Sequence, residues 1–177
     1  MRPLRKLLSF AKTMRVERIN ISEGLPVTLE QLKEHLRITS NDFDNNLTLL
    51  LKAAVASAEK YTGQIFQPGS FRFAGNFQSR IKTGVMPITG ITSVWVDGND
   101  LEVGVVGIQD SVLCFPPNIH GKSVMVEFEA GFPVCPFDVV AAILLTAAKL
   151  FENPSDSVEQ LPKASTNLLR PYKRWGR

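Results

Sequence analysis

Between Pro136 and Pro154 runs Pro-Phe-Asp-Val-Val-Ala-Ala-Ile-Leu-Leu-Thr-Ala-Ala-Lys-Leu-Phe-Glu-Asn-Pro, a helical stretch whose apolar residues almost encircle it from Phe137 to Phe151. Pro136 suits a first helical turn, and Asn153-Pro154 ends the helix. Such a helix must be covered on nearly every side by other helices, a sheet or a neighbouring subunit, with Lys149 reaching solvent near its end. A chain of 177 residues suits one domain, or one domain with an insertion, and buries roughly 70% of the surface its unfolded form exposes. It needs neither disulfides nor metals to fold. Cys114 and Cys135 have neither the number nor the spacing of a disulfide framework and read as reduced, small apolar residues of a cytosolic protein.

The remaining elements follow from periodicity and punctuation. Thr28 with Gln31 forms a capping-box pattern, and Leu29, Leu32 and Leu36 share one face of a helix over 28–38. Thr39-Ser-Asn-Asp42 breaks it and offers a new N-cap. From there Phe43, Leu47, Leu50, Leu51, Ala54, Ala58 and Tyr61 repeat every three or four residues, predicting a helix over 42–62 that stops at Gly63. Across about 66–132 the period changes. Residues 71–74, 91–96, 101–106, 112–115 and 123–129 are short β-branched or aromatic runs, separated by Pro87, Asp97-Gly-Asn-Asp100, Pro116-Pro-Asn118 and Gly121. They predict an antiparallel sheet of four to six strands inserted between helices. Val126 and Phe128 fall on one face of the last run and Glu127 and Glu129 on the other, so that strand is half-buried. A third helix occupies 136–152. The fold class is α+β: a small bundle of about three main helices, the inserted sheet, and an extended C-terminal arm over 155–177. Residues 1–25 form a basic N-terminal extension, and 26–154 the central domain.

No constellation supplies chemistry. Gly121-Lys122-Ser123 lacks the glycine that a phosphate loop needs five residues earlier, where Pro116 stands, and a turn opening a strand explains it. His35 and His120 have no neighbouring ligands in sequence with which to gather a metal. There is no Gly-x-Ser-x-Gly motif, and Asp42/Asp44 and Glu127/Glu129 fit capping and a solvent face. The expectation is therefore a non-enzyme with no catalytic residues, cofactors or metal. The N-terminus is too broken in apolar character for a signal-peptide core, and no run reaches the ~18 apolar residues of a membrane span, so a soluble, intracellular chain with no membrane contact is expected.

The formal charge of +3 is unevenly spread. Residues 1–18 hold six Lys/Arg against one Glu, and 163–177 hold five Lys/Arg and no acid, leaving nine basic against sixteen acidic residues between them. Basic ends therefore flank an acidic body. Either the ends touch something anionic or they are simply solvated. The tail ends Leu168-Leu-Arg-Pro-Tyr-Lys-Arg-Trp175. Ordering it costs on the order of 1–2 kcal/mol per residue, against roughly 1.5–3 kcal/mol for each large apolar side chain buried. It therefore needs a second surface, and Trp, Tyr and Arg are the residue types that dominate interfaces.

In order, Val27-Thr-Leu-Glu-Gln-Leu-Lys-Glu-His-Leu-Arg37, the helix from Asp42 ending Ala-Glu-Lys-Tyr-Thr-Gly63, the strand closing Val126-Glu-Phe-Glu-Ala-Gly-Phe-Pro133, the Pro136–Asn153 helix, Leu161-Pro and Leu168-Leu-Arg-Pro-Tyr172 resemble the tailed-bacteriophage head–tail connector family, also called adaptor or head-completion proteins. The resemblance spans about 26–175, lies in the order and spacing of the segments, and includes the β-sheet insertion of a larger subfamily. It implies a non-enzymatic homo-oligomeric ring of about twelve subunits in the virion neck, assembled in the bacterial host cytoplasm. The ring would dock on the portal protein, receive a tail or stopper protein, and pass DNA through its lumen without sequence-specific contacts. Its portal-docking residues would be Leu161, Leu168, Leu169, Arg170, Tyr172, Lys173, Arg174 and Trp175. An acidic body lining the channel would repel phosphates. The alternative is a small DNA-binding or regulatory module using its basic tails. Against it, the second helix carries Lys52 and Lys60 but no arginine to read base edges.

Overall fold

The computed structural model describes residues 14–21, 24–153 and 161–174. It divides into two compact units, one of Ser22–Pro68 with Gly131–Arg177 and the other of residues up to Ile21 with Gly69–Ala130. The described residues form four α-helices and two antiparallel sheets.

The first unit is helical. Helix α1 (Leu29–Leu36) opens on the predicted box: the Gln31 N–H donates to Thr28 Oγ1 and the Thr28 N–H to Gln31 Oε1. It ends at Arg37, whose left-handed backbone turns its N–H back onto the carbonyls of Lys33 and Glu34. Helix α2 (Asp44–Thr62) buries Leu47, Leu51, Ala54 and Ala58 of the expected stripe, together with Val55, and stops at Gly63 (φ 72°), which donates to the Glu59 carbonyl. Asp42 is not its N-cap. Phe43 takes that position without a side-chain bond, because the Asp42 carboxylate is bound by the Ser40 hydroxyl within the preceding turn. Lys33 instead reaches Asp44 at 2.8 Å, tying α1 to the start of α2. Helix α3 (Phe137–Glu152) buries Val139, Ala142, Ile143, Thr146 and Ala147 on one face, while Ala141, Leu145 and Ala148 remain partly exposed and Phe137 is 89% exposed.

The arm expected to be extended over 155–177 is helical where it is described: α4 (Lys163–Leu169) is followed by a 3-10 turn over Arg170–Tyr172. Ser165 and Leu169, four residues apart, share the inward face of α4 and are both fully buried. The Ser165 hydroxyl donates to the Ala142 carbonyl at 3.1 Å and lies 3.1 Å from Thr146 Oγ1, so α4 joins α3 by a satisfied polar contact inside an apolar core. Helix formation over these residues satisfies backbone groups that an extended arm would leave to solvent. Pro154 and residues 155–160 lie outside the described residues.

The second unit is built of strands. One sheet has the order β1-β2-β8-β4-β5, from β1 (Arg15–Ile21), β2 (Gly69–Asn76), β8 (Ser123–Ala130), β4 (Ile88–Val96) and β5 (Asn99–Leu101). A smaller one has the order β3-β7-β6, from β3 (Arg80–Lys82), β7 (Val112–Cys114) and β6 (Gly107–Gln109). Phe71 pairs with Phe128 and Phe73 with Val126 on the buried face of the large sheet, where the Phe71 and Phe128 rings stack at 5.9 Å. Arg72 pairs with Glu127 on the other face and donates to it through Nε at 2.9 Å. Strand β8 is half-buried in the alternation expected of it.

Three expectations change here. The single sheet of four to six strands is instead two antiparallel sheets holding eight strands among the described residues. Residues 101–106 are not one strand: pairing ends at Leu101 and Val103–Val105 forms a 3-10 turn around Gly104, whose missing side chain weakens a strand. Residues 15–21, counted in the basic extension, form the edge strand β1, with a bulge between Arg18 and Asn20. Their β-branched residues Val16, Ile19 and Ile21 supply the strand preference.

The turn after β4 places Asp97 and Gly98 in left-handed conformations, as a tight hairpin requires. The Asp97 carboxylate accepts the N–H groups of Lys122 and Ser123 at 2.9 and 2.8 Å, fixing the start of β8. These backbone donors hold its carboxyl below the usual carboxylate range. Gly121 lies in the same corner, where a Cβ would come within 2.3 Å of Val96 Cγ1. In the helical unit, Gly131 (φ 118°) allows an equally close approach: a Cβ there would lie 2.7 Å from Pro68 Cα.

Candidate interaction surfaces

The residues expected to dock on a partner fall into two groups. Leu169 is fully buried in the helical core, and Leu161, Leu168 and Tyr172 pack against it half-buried. The Tyr172 ring meets Phe66 edge-on at 6.2 Å and Phe132 at 6.3 Å, while its backbone carbonyl accepts from Gln64 Nε2. Burial pushes the Tyr172 phenol up, with smaller contributions from Asp138 and Cys135. Lys173 is half-buried with Nζ 4.7 Å from the centre of the Tyr61 ring, a cation–π geometry. The Arg174 N–H donates to the Thr62 carbonyl. Arg170 and Arg174 are exposed, and Trp175 lies outside the described residues. The segment is therefore held by its own unit, with its apolar side chains inward and two guanidinium groups outward.

Beside it the unit has an apolar feature that periodicity could not show. Val134 and Phe137, in the loop entering α3 and at the first position of that helix, are 82% and 89% exposed. Large side chains this exposed are common at contact sites. The intervening Cys135 faces a cleft of about 270 Å³ walled by Leu25, Pro26, Phe66 and Phe132, where burial pushes its thiol up to about 11. The signal in the sequence was Phe-Pro-Val-Cys-Pro-Phe137 itself, apolar residues held apart by prolines in a loop where a core has little use for them.

His35 and His120 are both exposed, and among the described residues no three His, Cys, Asp or Glu side chains are gathered where they could hold a metal. No helix among the described residues is long and apolar enough to cross a membrane.

Comparison with known proteins gives this arrangement a context. A family model described as Phage gp6-like head-tail connector protein matches residues 26–91, from ahead of α1 into β4. No curated protein matches the chain. Among solved structures, a chain in the neck of an empty gene transfer agent particle, computed with C6 symmetry, superposes with a TM-score of 0.72 at 19% identity. The alignment covers 92% of this chain and 97% of that one. A chain in the neck of the native particle, computed with C12 symmetry, gives 0.72 at 18% identity with the same coverage. A chain of the native virion gives 0.74 at 19% identity, covering 92% and 96%. At these identities the structures establish a shared fold. The resemblance to head–tail connectors read from the sequence is borne out by the family match over residues 26–91, and the gene transfer agent chains share the fold over 92% of this chain.

Proposed function

We propose that this chain is a structural neck component of a phage or phage-like particle, a head–tail connector. It forms a ring of about twelve copies that docks on the portal, receives a tail or stopper protein, and surrounds the DNA channel. The single observation that carries this reading is that a connector family model and a fold shared with neck proteins over 92% of the chain fall on the same molecule. A DNA-binding regulatory module has no such support.

In this reading residues 26–154 together with strand β1 form the connector body, the basic residues ahead of β1 meet acidic portal surface or entering DNA, and the acidic body keeps phosphates from adhering to the lumen. The portal is met by Arg170, Lys173 and Arg174, with Trp175 beyond them; Leu161, Leu168, Leu169 and Tyr172 hold that segment in place. Assembly takes place in the bacterial cytoplasm and ends in the virion neck.

Co-sedimentation with the cognate portal ring tests this. Removing everything after Gln160 also removes Leu169 from the core, so the informative variant is Arg170→Glu with Arg174→Glu, which reverses charge at two exposed positions and keeps Leu169 in place. Stoichiometric binding by the wild type and its loss in the double variant support the reading. Absence of binding by the wild type overturns it.

A further inference from the structure

Helix α3 is apolar almost all round, yet its own unit covers only part of it. Its buried residues, with Val140, Leu144 and Phe151, pack into the helical core. What remains is a stripe of Phe137, Ala141, Leu145 and Ala148, with Phe137 89% exposed and Val134, just ahead of it, 82% exposed. At roughly 3.6 residues per turn these positions fall within about a third of the helix circumference. The exposed Asp138, Lys149 and Glu152 lie in the same arc, which is therefore net acidic. Helix α2 has an outer arc of the opposite character. Leu49, 64% exposed, lies there with the exposed Ala53 and Ala56, beside the exposed Lys52 and Lys60, and the arc carries no acid. Glu59, next to Lys60 in sequence, is turned instead to the N–H groups of Phe66 and Gln67, which it accepts at 2.8 and 2.9 Å. Both helices turn their buried residues into one shared core, so within one copy the two arcs point outward and cannot meet each other.

We infer that the α3 stripe of one copy packs against the outer arc of α2 in the next, Phe137 and Leu145 over Ala53 and Ala56, with Asp138 and Glu152 toward Lys52 and Lys60 around them. This deepens the ring reading and rests on it. A contact between two different surfaces of the same chain is heterologous, the kind that closes into a ring when the rotation per copy allows. The occupant is a second copy because the two arcs complement each other in shape and in charge. Large apolar side chains on one meet small ones on the other, which lets two helices approach closely, and a net acidic arc meets a net basic one. The side of α3 that its own unit leaves open is then covered by a neighbour, as a helix so apolar requires.

The test is sedimentation velocity over a range of concentrations at low salt, comparing wild type with Phe137→Gln, Leu49→Gln and the double variant Lys52→Glu with Lys60→Glu. Circular dichroism checks that these exposed changes leave the fold intact. Each variant is expected to raise the concentration of half-assembly by about tenfold or more, and added salt to narrow the gap for the lysine variant alone. Mixing Phe137→Gln with Leu49→Gln is the sharper sample, because each keeps the face that the other has lost. At a concentration that leaves either variant monomeric, the mixture should form one-to-one dimers. If the wild type assembles and any of the three variants assembles equally well, or if the mixture does not pair, the contact is wrong while the ring reading stands. Loss of portal binding in Phe137→Gln with self-assembly unchanged would assign the α3 stripe to the portal protein instead. A wild type that stays monomeric throughout overturns this contact, and the ring reading falls with it only if that protein also fails to bind the portal.

Discussion

Gln64 Nε2 donates a 2.6 Å hydrogen bond to the backbone carbonyl of Tyr172, a residue 108 positions further along the chain. The bond joins the exit of α2 to the last described turn, and the Arg174 N–H donating to the Thr62 carbonyl repeats the connection nearby. The C-terminal segment is thereby fixed through its backbone, at the Tyr172 carbonyl and the Arg174 N–H.

Gln64→Ala should release this end without unfolding the unit. Removing one such bond costs about 1 kcal/mol. Hydrogen exchange should show amides of 163–174 losing protection while those at the centre of α2 keep theirs.

Leu169→Ala should be far more damaging, because a fully buried leucine leaves a cavity in the helical core. A loss of about 2–5 kcal/mol is expected in urea unfolding. Arg170→Ala, at an exposed position, should stay within about 0.5 kcal/mol of wild type. The contrast separates residues that build the segment from those free to meet a partner.

Asp97 makes the stability of the strand unit sensitive to acid. Its pKa in the fold is lowered from 3.8. The stabilisation is therefore fully present above 3.8 and is lost as pH falls through the lower, folded value. Asp97→Asn should remove this acid-dependent loss, so a plot of melting temperature against pH should be flatter for the variant below pH 3.8.

Gly121→Ala should strain the same corner, since the new methyl would overlap Val96, a β-branched side chain with little freedom to turn aside. A loss of about 1–3 kcal/mol is expected in chemical denaturation.

Cys135 should resist alkylation. With its thiol pushed up to about 11, almost none is thiolate at neutral pH, and iodoacetamide labelling should run at least about tenfold slower than for a free cysteine. Mass spectrometry of the labelled peptide measures this directly.

Regular, long elements were legible from the amino acids. The stripe from Phe43 to Tyr61 spans enough turns for its period to be unmistakable, and both the Thr28–Gln31 box and the Gly63 stop are local chemistry that needs no tertiary context. Helix α4 was not legible because seven residues hold only two turns, and Ser165 reads as polar until the Ala142 carbonyl beside it is known. β1 was obscured for a different reason: at a sheet edge charged residues remain solvated, so Arg15, Glu17 and Arg18 resemble a basic tail. Of the docking residues, the sequence marked the segment but could not divide it. Which side chains turn inward depends on partners such as Phe66 and Phe132, which are far from Tyr172 along the chain and are brought to it only by folding.

Pro68 and Gly131 touch back to back, and the chain leaves at the first and returns at the second through paired residues Gly69 and Ala130. For the helices, everything between these two points is a detour that begins and ends at one place. Its length is then free to vary over evolution or by engineering, because a longer or shorter excursion closing on the same two residues asks nothing new of the bundle and adds only slowly to the entropy of closure. This seam is where a different appendage could be grafted onto the same helical body.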